Sequence, residues 1–210
     1  SNNTAVGYQA GYSNTTGSAN TFVGDSSGYT TSTGLYNAAF GRRSMYANTT
    51  GSYNTALGAQ DAGNAGALSA NTTGGYNTAV GNGSLAANTT ASSNTAVGYQ
   101  AGYSNSTSAN NVFVGQTAGY STTGTANTFI GTAAGYTVTS GAYNTAVGFV
   151  AMNNATSTGS NNSTVGAYSL YNNTGGYNNV AIGYEAGRAN TNGYVNTLVG
   201  YQAGYSNTTV

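Results

Sequence analysis

Apolar side chains in this chain do not recur at the spacing of a helix. They recur in one short motif, Asn-Thr-x-aliphatic-Gly, whose glycines are Gly7, Gly24, Gly41, Gly58, Gly81, Gly98, Gly115, Gly131, Gly148, Gly166, Gly183 and Gly200. Successive glycines are 17 residues apart except for gaps of 23, 16 and 18. A defended period of this length means one supersecondary unit, repeated and stacked on its neighbours. The residue before each Gly is Val6, Val23, Phe40, Leu57, Val80, Val97, Val114, Ile130, Val147, Val165, Ile182 or Val199. Ten of these twelve are β-branched, which favours a pleated strand and costs side-chain freedom in a helix. The pattern predicts an all-β fold: a parallel β-solenoid, or β-roll, of about twelve 17-residue coils with like positions stacked about 4.8 Å apart. Residues 1–210 then read as a single repeat domain, with six extra residues forming an inserted loop near 59–64.

Several rows of the repeat invite an assignment. The aliphatic row just named is expected to be the core. The third residue after the Gly is small (Ala10, Ser27, Ser44, Ser84, Ala101 and their equivalents), so the interior should be thin, with a second short strand facing the aliphatic row. Tyrosines at the fifth position, such as Tyr12, Tyr29 and Tyr46, are placed to stack from coil to coil. Two residues before the Gly stands a further apolar row, Ala5, Phe22, Ala39, Ala56 and so on. Strand alternation turns it away from the aliphatic row, and a sheet apolar on both faces needs cover on both. This second face is expected to meet another copy of the chain, most simply in a trimer, or to line a wider interior.

Four residues before each Gly stands an asparagine without exception: Asn3, Asn20, Asn37, Asn54, Asn77, Asn94, Asn111, Asn127, Asn144, Asn162, Asn179 and Asn196. Amide side chains at one level of a parallel stack bond to those above and below, so the row reads as a structural Asn ladder. A second Asn row, including Asn14, Asn48, Asn71 and Asn88, opens the turn segments and is explained by turn chemistry. Asn-x-Ser/Thr acceptors at Asn14, Asn48, Asn71, Asn88, Asn105, Asn172 and Asn207 make these turns candidates for glycosylation.

Composition narrows function mainly by exclusion. Gly (33), Thr (34) and Asn (30) supply 97 of 210 residues. Only six residues are charged, Asp25, Asp61, Glu185, Arg42, Arg43 and Arg188, which excludes the clustered cations of a nucleic-acid binder. No apolar run is long enough for membrane insertion. There is no His, Cys, Lys, Pro or Trp, so neither a metal nor another cofactor is expected. Asp25 and Glu185 fall in the second and eleventh repeats, roughly 40 Å apart at about 4.8 Å per coil, which leaves no carboxylate pair for catalysis. The chain is not expected to be an enzyme.

The strings Asn94-Thr95-Ala96-Val97-Gly98-Tyr99-Gln100-Ala101-Gly102 and Asn196-Thr197-Leu198-Val199-Gly200-Tyr201-Gln202-Ala203-Gly204 resemble the head repeats of trimeric autotransporter adhesins. They are more similar still to repeats of phage-type tail-fibre proteins and large bacterial surface proteins. The resemblance implies a parallel β-roll, usually trimeric, displayed outside the cell. Adhesin head repeats are nearer 14 residues than 17. The expected function is an extracellular, cell-surface or virion tail-fibre segment, a structural fibre or stalk that partners with itself and adheres to a cell-surface or glycan receptor. Joining Val210 to Ser1 would preserve the 17-residue spacing, so the reading includes end-to-end stacking into a filament, or a window of a longer repeat tract. The alternative is an ice- or carbohydrate-binding solenoid, because Thr follows the ladder Asn in eight coils; by parity that Thr shares the aliphatic face and is expected half-buried with it.

Overall fold

A computed structural model describes residues 2–153 and 157–209; the junction of Val210 with Ser1 lies outside them. The chain is all-β, a parallel β-solenoid, and it divides into two compact units, Ser1–Ala109 and Asn110–Val210. The first carries β1 (Thr4–Val6), β2 (Thr21–Val23), β3 (Ala38–Phe40), β4 (Thr55–Leu57), β5 (Thr78–Val80) and β6 (Thr95–Val97). The second carries β7 (Val112–Val114), β8 (Thr128–Ile130), β9 (Thr145–Val147), β10 (Ser163–Val165), β11 (Val180–Ile182) and β12 (Thr197–Val199). Within each unit every strand pairs in parallel with the next in chain order, like position on like position, as in Thr78↔Thr95, Ala79↔Ala96 and Val80↔Val97. The 23-residue spacing keeps this register between β4 and β5, because the insertion leaves as an exposed loop around Asp61.

The strands are three residues long because the Gly that ends each one turns the chain. Gly7, Gly24 and Gly81 have φ of +132, +131 and +126, and a Cβ on Gly24 would lie 2.7 Å from the carbonyl carbon of Gly41 in the next coil. No other residue fits both the conformation and the space. Where a second strand was expected, around Ser27 and Ser44, the chain makes tight turns through left-handed residues such as Ser26 (φ 56) and Gly28 (φ +59). These turns still bond coil to coil, Gly11 N–H to Ser27 O at 2.9 Å and Gly28 N–H to Ser44 O at 3.0 Å, and the third side does the same through Thr15, Ser32 and Thr49.

The structure reverses the two faces of the strand. The row assigned to the core points outward: Val6, Phe40, Leu57, Val97, Ile130, Val165, Ile182 and Val199 are exposed, and Val23, Val80, Val114 and Val147 are half-buried. The interior row is the second apolar row, for which either a partner or a wider interior was expected, and the interior is what the chain builds: Phe22, Ala39, Ala56, Ala79, Ala96, Phe113, Phe129, Ala146, Thr164 and Ala181 are buried. The reason is volume. The interior row faces the fourth residue after the Gly across a narrow slot, and the two sizes are exchanged. Phe22, Phe113 and Phe129 sit over Gly28, Gly119 and Gly135, where an added Cβ would come within 2.3–2.4 Å of the ring. Ala39, Ala56, Ala79, Ala146 and Thr164 share their coils with Met45, Leu68, Leu85, Met152 and Leu170, all buried. A Val at every level would overfill some coils and leave others empty.

This exchange is open to direct test by chemical denaturation. Phe22→Ala is expected to cost about 3–5 kcal/mol as a large-to-small core change, and Gly28→Leu alone to be at least as damaging, since its Cβ would start 2.4 Å from the Phe22 ring. Together they recreate the Ala79/Leu85 pairing, whose Leu already adopts φ 48, and the double variant is expected to recover at least half of the loss. A double variant no more stable than the worse single one would refute the exchange.

Candidate functional surface

The ladder asparagines satisfy themselves through their own repetition. Asn37 Oδ1 accepts the Asn54 backbone N–H at 3.0 Å and the Asn54 side-chain amide at 3.2 Å, while Asn37 Nδ2 donates to Gly51 O at 2.8 Å. The arrangement recurs at Asn77, bonded to Asn54 and Ala91, and in the second unit along Asn127, Asn144, Asn162 and Asn179. Each amide would be costly to bury alone; in register it holds the entry to the strand at a fixed height.

The second Asn row corrects two expectations. Asn48, Asn71 and Asn88 are fully buried and are not among the residues of positive φ. They form a second amide ladder, with Asn71 Nδ2 to Asn48 Oδ1 and Asn88 Nδ2 to Asn71 Oδ1 both 2.8 Å, and each donates to the carbonyl three residues on. A glycan needs a free side-chain amide in solvent, so Asn48, Asn71, Asn88 and the likewise buried Asn105 are closed as acceptors. Asn14, Asn172 and Asn207 are half-buried. The sequence signal for burial was the alignment of these residues in consecutive repeats, which loose turns would not require.

What the units present to solvent is a sheet face of paired outward rows. Thr4, Thr55 and Thr197 are exposed and Thr21, Thr78, Thr95, Thr128 and Thr145 half-buried, beside the outward aliphatic row. Tyrosines form columns of their own from coil to coil. Tyr12, Tyr29 and Tyr46 stack at 5.2 and 5.1 Å between ring centroids, and Tyr120 and Tyr136 at 5.0 Å. A column not read from the sequence, Tyr36, Tyr53 and Tyr76, stacks at 5.0 and 4.9 Å from left-handed backbone just before the ladder Asn. Its signal was present in the spacing of those tyrosines, one per repeat. Tyr177 with Tyr194 and Tyr184 with Tyr201 add pairs at 5.1 and 5.6 Å.

The charged residues are engaged locally. Asp25 meets Arg42 one coil on at 3.3 Å, an exposed pair contributing about 0–1 kcal/mol. Glu185 bonds Arg188 at 3.0 Å and accepts from Gln202 at 2.7 Å, and the Arg188 guanidinium lies 5.6–5.7 Å from the rings of Tyr168, Tyr171 and Tyr205. Asp61 closes the inserted loop on itself, accepting from Gly63 N–H at 2.9 Å and Asn64 N–H at 2.8 Å. The Gly63 bond is the largest influence in holding its carboxyl below the usual aspartate range.

Two measurements follow from this surface. Asn77→Ala removes the side-chain acceptor of the Asn94 backbone N–H inside the unit, while the Ala91 carbonyl keeps its bond from Asn88; the loss expected in urea denaturation is about 1–3 kcal/mol for the donor that loses its acceptor, and a loss close to zero would show the ladder to be ornamental. For Asp61 the charged form is the one bonded, so its contribution is present above the ordinary carboxylate range and is lost as pH falls through its lowered pKa. The Gly63 amide resonance is expected to shift over that acidic range, and Asp61→Asn to abolish the titration.

No protein-family model, curated protein or solved structure is matched by this chain.

Proposed function

We propose that this chain is a structural segment of an extracellular fibre or stalk, self-associating, whose role is length, stiffness and display, with adhesion to a surface or glycan as an added property. The observation that carries the reading is the in-register bonding of each coil to the next on every side of each unit: strand, turn and Asn ladder all bond along the stacking direction. Such a stack resists bending and local opening, because separating two coils breaks many bonds at once. Self-association is assigned to the outward sheet face, where Val6, Leu57, Val165 and Val199 are 44–64 % exposed. The reading assigns no catalytic role to the carboxylates, each of which is tied to its immediate neighbours.

Electron microscopy and sedimentation of the purified chain test this directly. Extended fibres or laterally paired rods whose proportion rises with concentration are expected; a monodisperse single chain at every concentration would overturn the self-association.

One observation favours the second reading, binding to a regular lattice such as ice: the Thr row, half-buried to exposed, lies on the outward face with the aliphatic row and not in the core. Thermal hysteresis of the same preparation separates the two. Stacking on sugar rings is less well served, because the tyrosines spend their ring faces on each other and turn their edges to solvent.

A further inference from the structure

The side chains that give up an electron most readily are those of Cys, Trp, Tyr, Met and His. This chain has no Cys, Trp or His, and its two methionines, Met45 and Met152, are buried at 0 and 1 % exposure. Nineteen tyrosines remain, so a one-electron oxidant arriving from solvent meets phenol. The column Tyr36, Tyr53 and Tyr76 presents three exposed phenols in succession: the residues are 53, 48 and 64 % exposed, and their rings are 5.0 and 4.9 Å apart and inclined to each other by 14° and 5°. Their backbones share one conformation, φ 56, 59 and 58, so the three side chains leave the coil alike and their rings stack nearly parallel.

We propose that this column is an oxidative modification site, at which neighbouring coils are joined by dityrosine through a peroxide-consuming haem peroxidase. The peroxidase takes one electron and one proton from each of two neighbouring phenols, leaving two phenoxyl radicals with unpaired density on the carbons ortho to oxygen. Those carbons form one C–C bond, and each ring hydrogen displaced by the bond moves to its own oxygen to restore the phenol. Two tyrosines and one hydrogen peroxide thus give one dityrosine and two waters: the rings are oxidised by two electrons and the peroxide is reduced. The fold supplies proximity. Two phenols held in contact react as an intramolecular pair, an advantage that reaches a very high effective concentration in well-oriented systems, whereas phenols on separate chains must meet by diffusion.

The test treats the folded chain, at high dilution, with hydrogen peroxide and a haem peroxidase, then denatures and digests it. Trypsin cuts after Arg42 and Arg43, between Tyr36 and Tyr53, so a bond between them leaves the fragments 1–42 and 44–188 joined, lighter by two hydrogens, with dityrosine fluorescence. Tandem mass spectrometry locates the bond. The expected result is a yield independent of protein concentration, mapped to Tyr36–Tyr53 and Tyr53–Tyr76, and at least tenfold lower when the chain is oxidised unfolded. Tyr53→Phe keeps the stacked ring and removes the phenol; it is expected to leave the thermal transition unchanged and to abolish both bonds. The proposal is overturned by cross-links confined to Tyr29–Tyr46, by a yield that rises with concentration and vanishes on dilution, or by no dityrosine where free tyrosine in the same mixture is oxidised. It does not rest on the fibre reading, since a chain that never assembles would still cross-link within itself.

Discussion

Everything in this molecule depends on the short, fixed rise between coils. At about 4.8 Å, each residue has its own equivalent as nearest neighbour along the stack, and a buried polar group can be satisfied only if that equivalent offers the complementary group. Asparagine meets the condition as donor and acceptor at once: Asn54 gives its side-chain amide to Asn37 and Gly74 and takes the Asn77 backbone N–H on its own oxygen. Two such ladders in the first unit converge on shared carbonyls, Gly51 taking Asn37 and Asn48 and Gly74 taking Asn54 and Asn71, and so tie the strand entry to the turn before it. The spacing of the repeat tolerates insertion only where extra residues can leave the stack, as they do around Asp61.

The same spacing makes the interior too thin for a conventional core. Among the described residues, twenty-six other than glycine lie at positive φ, a conformation that costs roughly 1–2 kcal/mol for each L-residue. They persist because the coil must turn sharply several times in 17 residues, and the backbone bonds from coil to coil hold each turn once made. Apolar burial is then a matter of fitting one large group per level, Phe22 from the strand or Leu85 from the turn, against a small one. Where neither is present, as at Ala181 and Gly187, Leu170 and Leu198 from the coils above and below fill the space.

A sheet whose core lies behind it leaves its other face free to act. Here that face is an ordered array of hydroxyl and methyl groups, from the Thr and aliphatic rows, repeated at the rise of the coil. Such a surface suits contacts that are themselves periodic, whether a second copy or a lattice, better than recognition of a single small molecule.

The repeat by itself determined the parallel solenoid, because a 17-residue period with Gly at one position leaves stacking as the only way to bury each repeat. Tertiary structure decided which side of each strand is inside. Both Ala5-type and Val6-type rows are apolar, and β-branching marks strand without marking its inner face; the choice followed from the volume left by a different part of the coil, the turn holding Gly28 or Leu85. The fate of Asn48, Asn71 and Asn88 was decided in the same way. An Asn before a Thr-Thr pair looks like a turn and a sugar acceptor along the chain, and becomes a buried ladder only when the next coil places its own amide 2.8 Å away.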